Sequence, residues 1–92
     1  MIIRIVKLRI REEYIENFRQ LTNNERNDIL NFPGCHHLEV KQEVNEPTLF
    51  FTISHWDDEK ALNHYRESDF FRGNWSTVKQ WFNAKPEAWS LQ

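Results

Sequence analysis

Residues 48–56, TLFFTISHW, restrict the possible folds most, because this apolar strand pattern runs directly into a helical one. Successive side chains of a strand point to opposite faces, so Phe50 and Phe51 place aromatic rings on both sides. A strand that is apolar on both faces is expected in the interior of a sheet, with material packed on each side. Asp57 is a suitable N-cap, so the pattern predicts a helix over residues 58–67.

Hydrophobic periodicity and turn residues predict the remaining elements. They are strands over residues 2–10, 36–44 and 87–91, a helix over residues 12–30, and a helix that begins after Ser68 and ends before Pro86. The apolar stripe of the first helix is interrupted near Glu25. The resulting order, β-α-β-β-α-β with a split second helix, is the ferredoxin-like pattern of an α+β sandwich with an antiparallel sheet. The length predicts one domain over residues 1–92.

The first strand has two faces of different character. Val6 and Leu8 share an apolar face in which Arg4 is the exception, while Ile3 and Ile5 begin the second face. A strand that is half-buried on its second face needs a further packing partner. The candidate is a second copy of the chain, which predicts a homodimer.

Composition excludes several classes of protein. The formal net charge is −2 and no basic run occurs, which argues against nucleic-acid and membrane-surface partners. One cysteine cannot form an internal disulfide, so the chain does not depend on an oxidising compartment. The N-terminus has no apolar signal core, and no stretch approaches the about 20 apolar residues of a membrane span. The default expectation is a soluble, cytoplasmic protein.

The turn at residues 45–47 makes a testable pair of histidines. If residues pair across this hairpin so that their numbers sum to 92, His37 faces His55 directly, with Cys35 on the same face and His36 on the other. Two such histidines can share a proton, bind an anion or hold a metal. A metal needs a third convergent ligand, and none is assured. We therefore expect a polar pair at a sheet end or dimer interface, and no metal.

The aromatic residues are the other candidates for a site. For Trp56 and Trp75, a place in a pocket wall and a place in the ordinary core are equally expected. For Trp81 and Trp89, the core is favoured. Trp56 stands at a strand-to-helix junction, where clefts often form. The sequence has no glycine-rich phosphate loop, GxSxG or HExxH motif, which disfavours nucleotide-binding enzymes and standard hydrolases.

Three stretches resemble the antibiotic biosynthesis monooxygenase (ABM) family of dimeric α/β barrels: IIRIVKLRIREEYIENFRQL, NFPGCHHLEV and LFFTISHWDDEKALNHYRESDFF. The resemblance implies a ferredoxin-like protomer whose sheet packs face to face with that of a second protomer. Relatives include cofactor-free monooxygenases of polycyclic phenols or quinols and haem-degrading enzymes. In the former, the substrate supplies the electrons and the pocket lies between sheet and helices. Trp56 matches the tryptophan at the strand-to-helix junction, and His64 matches the helix histidine.

Haem degradation is disfavoured, because the first strand has no asparagine and no histidine follows Ser68. The hypothesis is a cofactor-independent monooxygenase that oxidises a small aromatic phenol or quinol with O2. The alternative is a non-catalytic dimeric barrel that binds a small hydrophobic ligand or serves a stress response. The candidate residues are His55, Trp56 and His64 for catalysis, and His37, Tyr65, Arg72 and Trp75 for substrate binding.

Overall fold

The computed structural model describes residues 1–92. The chain forms a four-stranded antiparallel sheet with helices on one face. The strands, in the spatial order β2-β3-β1-β4, are β1 (Ile2–Arg9), β2 (Cys35–Gln42), β3 (Leu49–Trp56) and β4 (Glu87–Leu91). The helices are α1 (Ile15–Leu30), α2 (Glu59–Arg66) and α3 (Asp69–Val78), with short 3-10 turns at Glu12–Tyr14 and Lys79–Trp81. This confirms the predicted ferredoxin-like α+β fold.

The hairpin of β2 and β3 has the predicted register, but only beyond its first residues. His37 lies opposite His55 and Val40 opposite Thr52, as the sum of 92 requires. A bulge between Cys35 and His37 then shifts the register, so that Cys35 lies opposite Trp56. The expectation that Cys35 shares a face with His37 is therefore wrong, because an extra residue in one strand reverses the side-chain alternation.

The caps of α2 and α3 explain why the second helix is split. Asp58, not Asp57 as predicted, caps α2, and its Oδ1 accepts a hydrogen bond from the Ala61 N–H at 2.8 Å. Ser68 caps α3 as predicted, and its Oγ accepts from the Phe71 N–H at 3.1 Å. An N-cap side chain satisfies backbone donors that have no partner inside the helix, so each cap starts a new helix.

Gly34 joins α1 to β2 at a position that other residues would not tolerate. Its φ of +85° is left-handed, and a Cβ added there would lie 2.6 Å from Ala61 Cβ. The Gly34 carbonyl also accepts a hydrogen bond from the Asp57 N–H at 2.8 Å. The missing side chain thus lets the start of β2 pack directly against α2.

The sheet has two faces of unequal burial. The covered face, which carries the helices, includes Ile2, Arg4, Val6, Leu8, Leu38, Val40, Phe50, Thr52, Ser54, Trp56, Ala88 and Ser90. The open face includes Ile3, Ile5, Lys7, Arg9, His37, Glu39, Lys41, Leu49, Phe51, Ile53, His55, Trp89 and Leu91. Of the residues on the open face only Leu49, at the start of β3, is buried.

The core beneath the helices is divided into two parts. Leu8, Phe18 and Phe50 belong to one buried cluster, in which the rings of Phe18 and Phe50 are 4.8 Å apart between centroids. Trp56 and Leu62 are also buried but lie outside that cluster. Positions 50 and 56 of one strand are roughly 20 Å apart. The covered face therefore has a middle section between two packed ends. No helix in the structure has the length and apolar character that a membrane crossing requires.

Candidate active site

A cavity of about 330 Å³ occupies this middle section, between the covered face and the helices. Its sheet side includes Val6, Thr52 and Ser54, and side chains of α1, α2 and α3 complete the walls. The side chains of Thr52 and Ser54 are short, so the middle of β3 leaves an open space between the large side chains of Phe50 and Trp56. The cavity thus results from small residues placed between two large ones.

Stacked aromatic rings form one wall of the cavity. The ring of Trp56 is 5.0 Å from that of Tyr65 with an angle of 23° between their planes. Tyr65 meets Phe71 edge to face at 5.1 Å, and Phe71 stacks on Trp75 at 5.8 Å. All four residues line the cavity. Aromatic pairs at these distances are stabilising and give rigid, flat surfaces.

A hydrogen bond to the neighbouring strand residue Ser54 also fixes the position of Trp56. Trp56 is fully buried, and its Nε1 donates a hydrogen bond to Ser54 Oγ at 2.9 Å. A buried indole N–H without a partner would destabilise the fold, so Ser54 both satisfies Trp56 and fixes the plane of its ring. The residue at the strand-to-helix junction is therefore a preorganised part of the wall.

Glu25 of α1 is the most unusual polar group of the cavity. Its Oε1 atom is buried and has no hydrogen-bond partner. Burial, with a smaller contribution from Asp28, raises the pKa of its carboxyl group to about 7. A carboxyl group with a pKa near neutrality can take and return protons at physiological pH.

Asn74 of α3 offers a second buried atom without a partner, its side-chain amide Nδ2. Both Glu25 and Asn74 line the cavity. An ionised carboxylate accepts hydrogen bonds and an amide nitrogen donates them. Two residues of the cavity wall therefore carry one unused acceptor and one unused donor.

The hydroxyl group of Tyr65 does not act as an acid near neutral pH. Burial, followed by the nearby Glu25 and Cys35 groups, raises the pKa of its hydroxyl group well above its usual range. Its phenol therefore stays neutral at all ordinary pH values. We interpret Tyr65 as a wall residue whose hydroxyl group can donate a hydrogen bond.

Two arginines also belong to the polar lining, which further includes Thr22 and Glu87. Arg4 of β1 and Arg66 of α2 both line the cavity, and neither forms an ion pair. Burial, and then the charge of Arg66, lowers the pKa of Arg4. Its Nη1 donates a hydrogen bond to Ser90 Oγ at 3.0 Å, which leaves most of the guanidinium donors free.

The predicted site residues fall into three places. Trp56, Tyr65 and Trp75 line the cavity. His64 and Arg72 are exposed on α2 and α3 and do not line it. The structure thus brings three of the seven predicted residues together in one space, without testing any catalytic or binding role.

The remaining two, His37 and His55, form a pair on the open face. Their ring centroids are 4.8 Å apart, which confirms the predicted pairing across the hairpin. The His37 Nε2 atom is also 2.6 Å from Glu39 Oε1, and this hydrogen bond lowers the pKa of Glu39. The pair is separated from the cavity by the sheet itself.

Cys35 lies near the cavity without being activated. Burial is the main cause of the raised pKa of its thiol, which also donates a weak hydrogen bond to the His37 carbonyl. A thiol with a raised pKa is a poor nucleophile at neutral pH. No three histidine, cysteine, aspartate or glutamate side chains converge in a set that could hold a metal ion.

The family model for antibiotic biosynthesis monooxygenases matches residues 1–73, which is most of the chain. The chain belongs to the ABM family. The match ends within α3, so the wall residues Trp56, Tyr65 and Phe71 are inside it and Asn74 is just beyond it. No curated protein is similar enough in sequence to match.

Solved structures share the ABM fold over nearly the whole chain. A conserved protein from Methanosarcina mazei is 24% identical, with a TM-score of 0.92 over 100% of this chain and 92% of that one. A protein from Nitrosomonas europaea, provisionally named an antibiotic biosynthesis monooxygenase, is 18% identical, with a TM-score of 0.92 over 98% of this chain and 86% of that one. A protein of the same provisional name from Deinococcus radiodurans is 19% identical, with a TM-score of 0.90 over 100% and 91%.

These identities establish a shared fold, and the family match supports a monooxygenase as the class of activity. The substrate has to be inferred from the cavity of this ABM chain. Glu25 and Arg4 are the cavity residues that sequence reasoning overlooked, although each was visible as a charged residue in an otherwise apolar pattern. Arg66 and Asn74 gave no such signal.

Proposed function

We propose that the protein is a cofactor-independent monooxygenase that oxidises a small aromatic phenol or quinol with O2. The observation that carries the proposal is the aromatic-walled cavity, one of whose lining residues, Glu25, has a buried carboxyl oxygen without a hydrogen-bond partner. Its volume of about 330 Å³ lies at the lower end of the roughly 300–1,000 Å³ typical of small-molecule sites. Flat walls such as those of Trp56 and Trp75 favour a flat ring system.

The chemistry requires no electron carrier, because an electron-rich aromatic substrate is its own reductant. Oxidation of an anthrone, for example, turns one ring methylene into a carbonyl, and the second atom of O2 leaves as water. Deprotonation of the substrate makes it electron-rich enough to react with O2. A protein serves this reaction by binding the ring, accepting the proton and stabilising the anion.

The catalytic roles predicted for His55 and His64 stay unassigned in this proposal. His55 is on the open face and His64 is on the outer surface of α2, so neither lines the cavity. Wall positions are proposed for Trp56, Tyr65 and Trp75, which do line it. No part in binding the ring is given to Arg72 or His37.

A homodimer is part of the proposal. The open face carries Ile3, Ile5, Phe51 and Ile53 with no helix over them. Sheet-on-sheet packing of two copies would bury these side chains and form the dimeric barrel that the family resemblance implies. The proposed enzyme is then a pair of identical protomers, each with its own cavity.

Oxygen consumption with a panel of hydroquinones and anthrones tests the activity. A Thr52→Phe variant should fill the middle of the cavity and lower turnover at least about 100-fold, since misplacing a substrate by about 1 Å costs that much. Thr77→Phe, at an exposed position of α3, is the matched control and should retain the wild-type rate. Circular dichroism establishes that both variants are folded.

The alternative function predicts a different result in the same assay. If calorimetry shows that the wild type binds these compounds while no compound is oxidised, the protein is a non-catalytic barrel for small hydrophobic ligands. Equal turnover by Thr52→Phe and the wild type would place the reaction outside the cavity.

A further inference from the structure

Two side chains that line the same cavity from different helices each carry a buried polar atom without a hydrogen-bond partner in the protein. The two atoms are Glu25 Oε1 on α1 and Asn74 Nδ2 on α3. A buried polar group without a hydrogen bond is destabilising, so native proteins rarely keep two in one place without a reason. The neighbouring buried hydroxyl and indole groups of Ser54 and Trp56 are, by contrast, satisfied by each other.

We propose that Glu25 and Asn74 act as a pair on one ligand, in which Glu25 accepts the proton of an aromatic hydroxyl group and Asn74 donates a hydrogen bond to an oxygen of the same molecule. The ligand class is a hydroxyarene with a second oxygen that can accept a hydrogen bond. This inference rests on the proposed function only for the reaction with O2 after deprotonation. The binding and proton transfer themselves can be measured without turnover.

The proton transfer is balanced within the site. The carboxylate of Glu25 and the neutral hydroxyarene become the carboxylic acid of Glu25 and the aryl oxide anion. One O–H bond breaks and one forms, and no electron is transferred. Glu25 then returns its proton to solvent or product. In the complex, the two oxygens share one proton, because two negative charges side by side in a buried site are strongly unfavourable.

The surroundings of Glu25 favour this role over that of an ion-pair partner. Its carboxylate forms no salt bridge, and its pKa stays raised although two arginines line the same cavity. The pKa of about 7 suits a base that works near neutral pH. The charged or titratable groups around it are Asp28 on its own helix, Tyr65 and Arg66 on α2, Arg4 on β1, Cys35 at the start of β2 and Glu87 at the start of β4.

Asn74 gives the ligand an orientation. Its amide can donate to a carbonyl, nitro or second hydroxyl oxygen, and it carries no charge that would neutralise the aryl oxide completely. A flat molecule held at two oxygens, with its ring against Trp75, would have a fixed position in the cavity. A hydrocarbon of the same size has no polar atom that could form a hydrogen bond with Glu25 or Asn74.

Isothermal titration calorimetry with 4-nitrophenol at pH 8 tests the pair, because this probe has an ionisable hydroxyl group and a nitro acceptor. Measured in buffers of different ionisation enthalpy, binding to the wild type should take up about one proton, since free ligand and free Glu25 are both mainly ionised there. Glu25→Gln should bind with almost no proton uptake. Glu13→Gln, an exposed glutamate just before α1, is the matched control and should behave as the wild type.

Asn74→Leu tests the second half of the pair with a side chain of similar size. It should weaken the binding of 4-nitrophenol about 3- to 10-fold, the usual effect of losing a hydrogen bond to an uncharged acceptor. Binding of toluene, which has no oxygen, should not weaken. Asn24→Leu, at an exposed position of α1, is the control for the substitution itself.

Three results would overturn the inference: no binding of 4-nitrophenol to the wild type, binding without proton uptake, or equal uptake by Glu25→Gln. The last two would mean that water, not a ligand, satisfies Glu25. Proton uptake that depends on Glu25, combined with no oxygen consumption on any quinol, would instead support the pair and contradict the monooxygenase proposal. Failure of the inference and failure of the proposed function are therefore distinguishable.

Discussion

The two faces of the sheet are built from the same four strands and have opposite characters. The covered face is buried by helices at both ends, yet its middle holds the charged Arg4 and lies beneath Glu25. The open face has no covering helix, yet its middle is apolar, with Ile5 opposite Ile53. The covered face thus holds charged side chains in a region that is shielded from water. The open face holds apolar side chains that water can reach.

Each mismatch indicates a partner that the isolated protomer lacks. A charged group in a buried cavity is costly unless a ligand or water satisfies it. An exposed apolar patch is costly unless another surface covers it. The covered face is thus suited to a small molecule, and the open face to a second copy of the chain.

The largest expected effect is a difference in stability between a variant of the covered face and a variant of the open face. Trp56→Ala on the covered face should reduce the free energy of unfolding by about 3–5 kcal/mol, because it empties a fully buried position. Trp89→Ala on the open face, where the side chain of the protomer is 43% exposed, should cost less than half as much at a protein concentration that keeps the chain monomeric. Urea denaturation followed by circular dichroism measures both. Similar midpoints for the two variants would contradict the difference in burial.

An intermediate effect concerns the open face alone. Ile53→Asp should convert the proposed dimer to a monomer, because each interface would then bury an unpaired carboxylate from both copies. Light scattering at micromolar concentration reports the mass. Val44→Asp, in the turn where the side chain is 92% exposed, is the control and should leave the mass unchanged. A wild type that is already monomeric at this concentration would refute the dimer.

The smallest effect is a pH dependence of the covered face. The pKa of Glu25 is raised from 4.5 to about 7 in the folded protein, so the folded state binds its proton more tightly than the unfolded state. Wild-type stability therefore falls as pH rises from about 4.5 to about 7, and the loss is complete above that window. Glu25→Gln removes the penalty.

At pH 8 the Glu25→Gln variant should be more stable than the wild type by about 1 kcal/mol, after allowance for the partial exposure of the residue. That difference corresponds to roughly 4–8 °C in melting temperature for a domain of this size. At pH 5 the difference should be smaller. Thermal unfolding beside the Glu13→Gln control measures it, and a variant that is less stable at pH 8 would show that Glu25 is satisfied in the folded state.

Local sequence patterns were sufficient for the fold. The interior position of β3 followed from apolar groups on both of its faces, and the pairing of His37 with His55 followed from the length of one turn. The bulge before His37 was not predictable, because nothing in the local composition distinguishes a bulged residue from a paired one. The placement of Cys35 was wrong for that reason alone.

The site was predictable only where shape and pattern agree. Trp56, Tyr65 and Trp75 were found because large aromatics near a strand end often form walls. Glu25 was interpreted as a defect in a helical stripe, since periodicity counts apolar residues and assigns no role to an exception. Asn74 could not be found, because its isolation depends on distances between helices that no local pattern encodes.

The placement of the tryptophans has a practical consequence for spectroscopy. Trp56 is fully buried beside the cavity, whereas Trp89 is 43% exposed on the open face. Their fluorescence should therefore respond to different events, with Trp56 quenched by an occupant of the cavity and Trp89 shifted to the blue when water leaves the open face. The chain thus carries two built-in optical reporters, and variants that keep only one of them would follow ligand and assembly as separate signals.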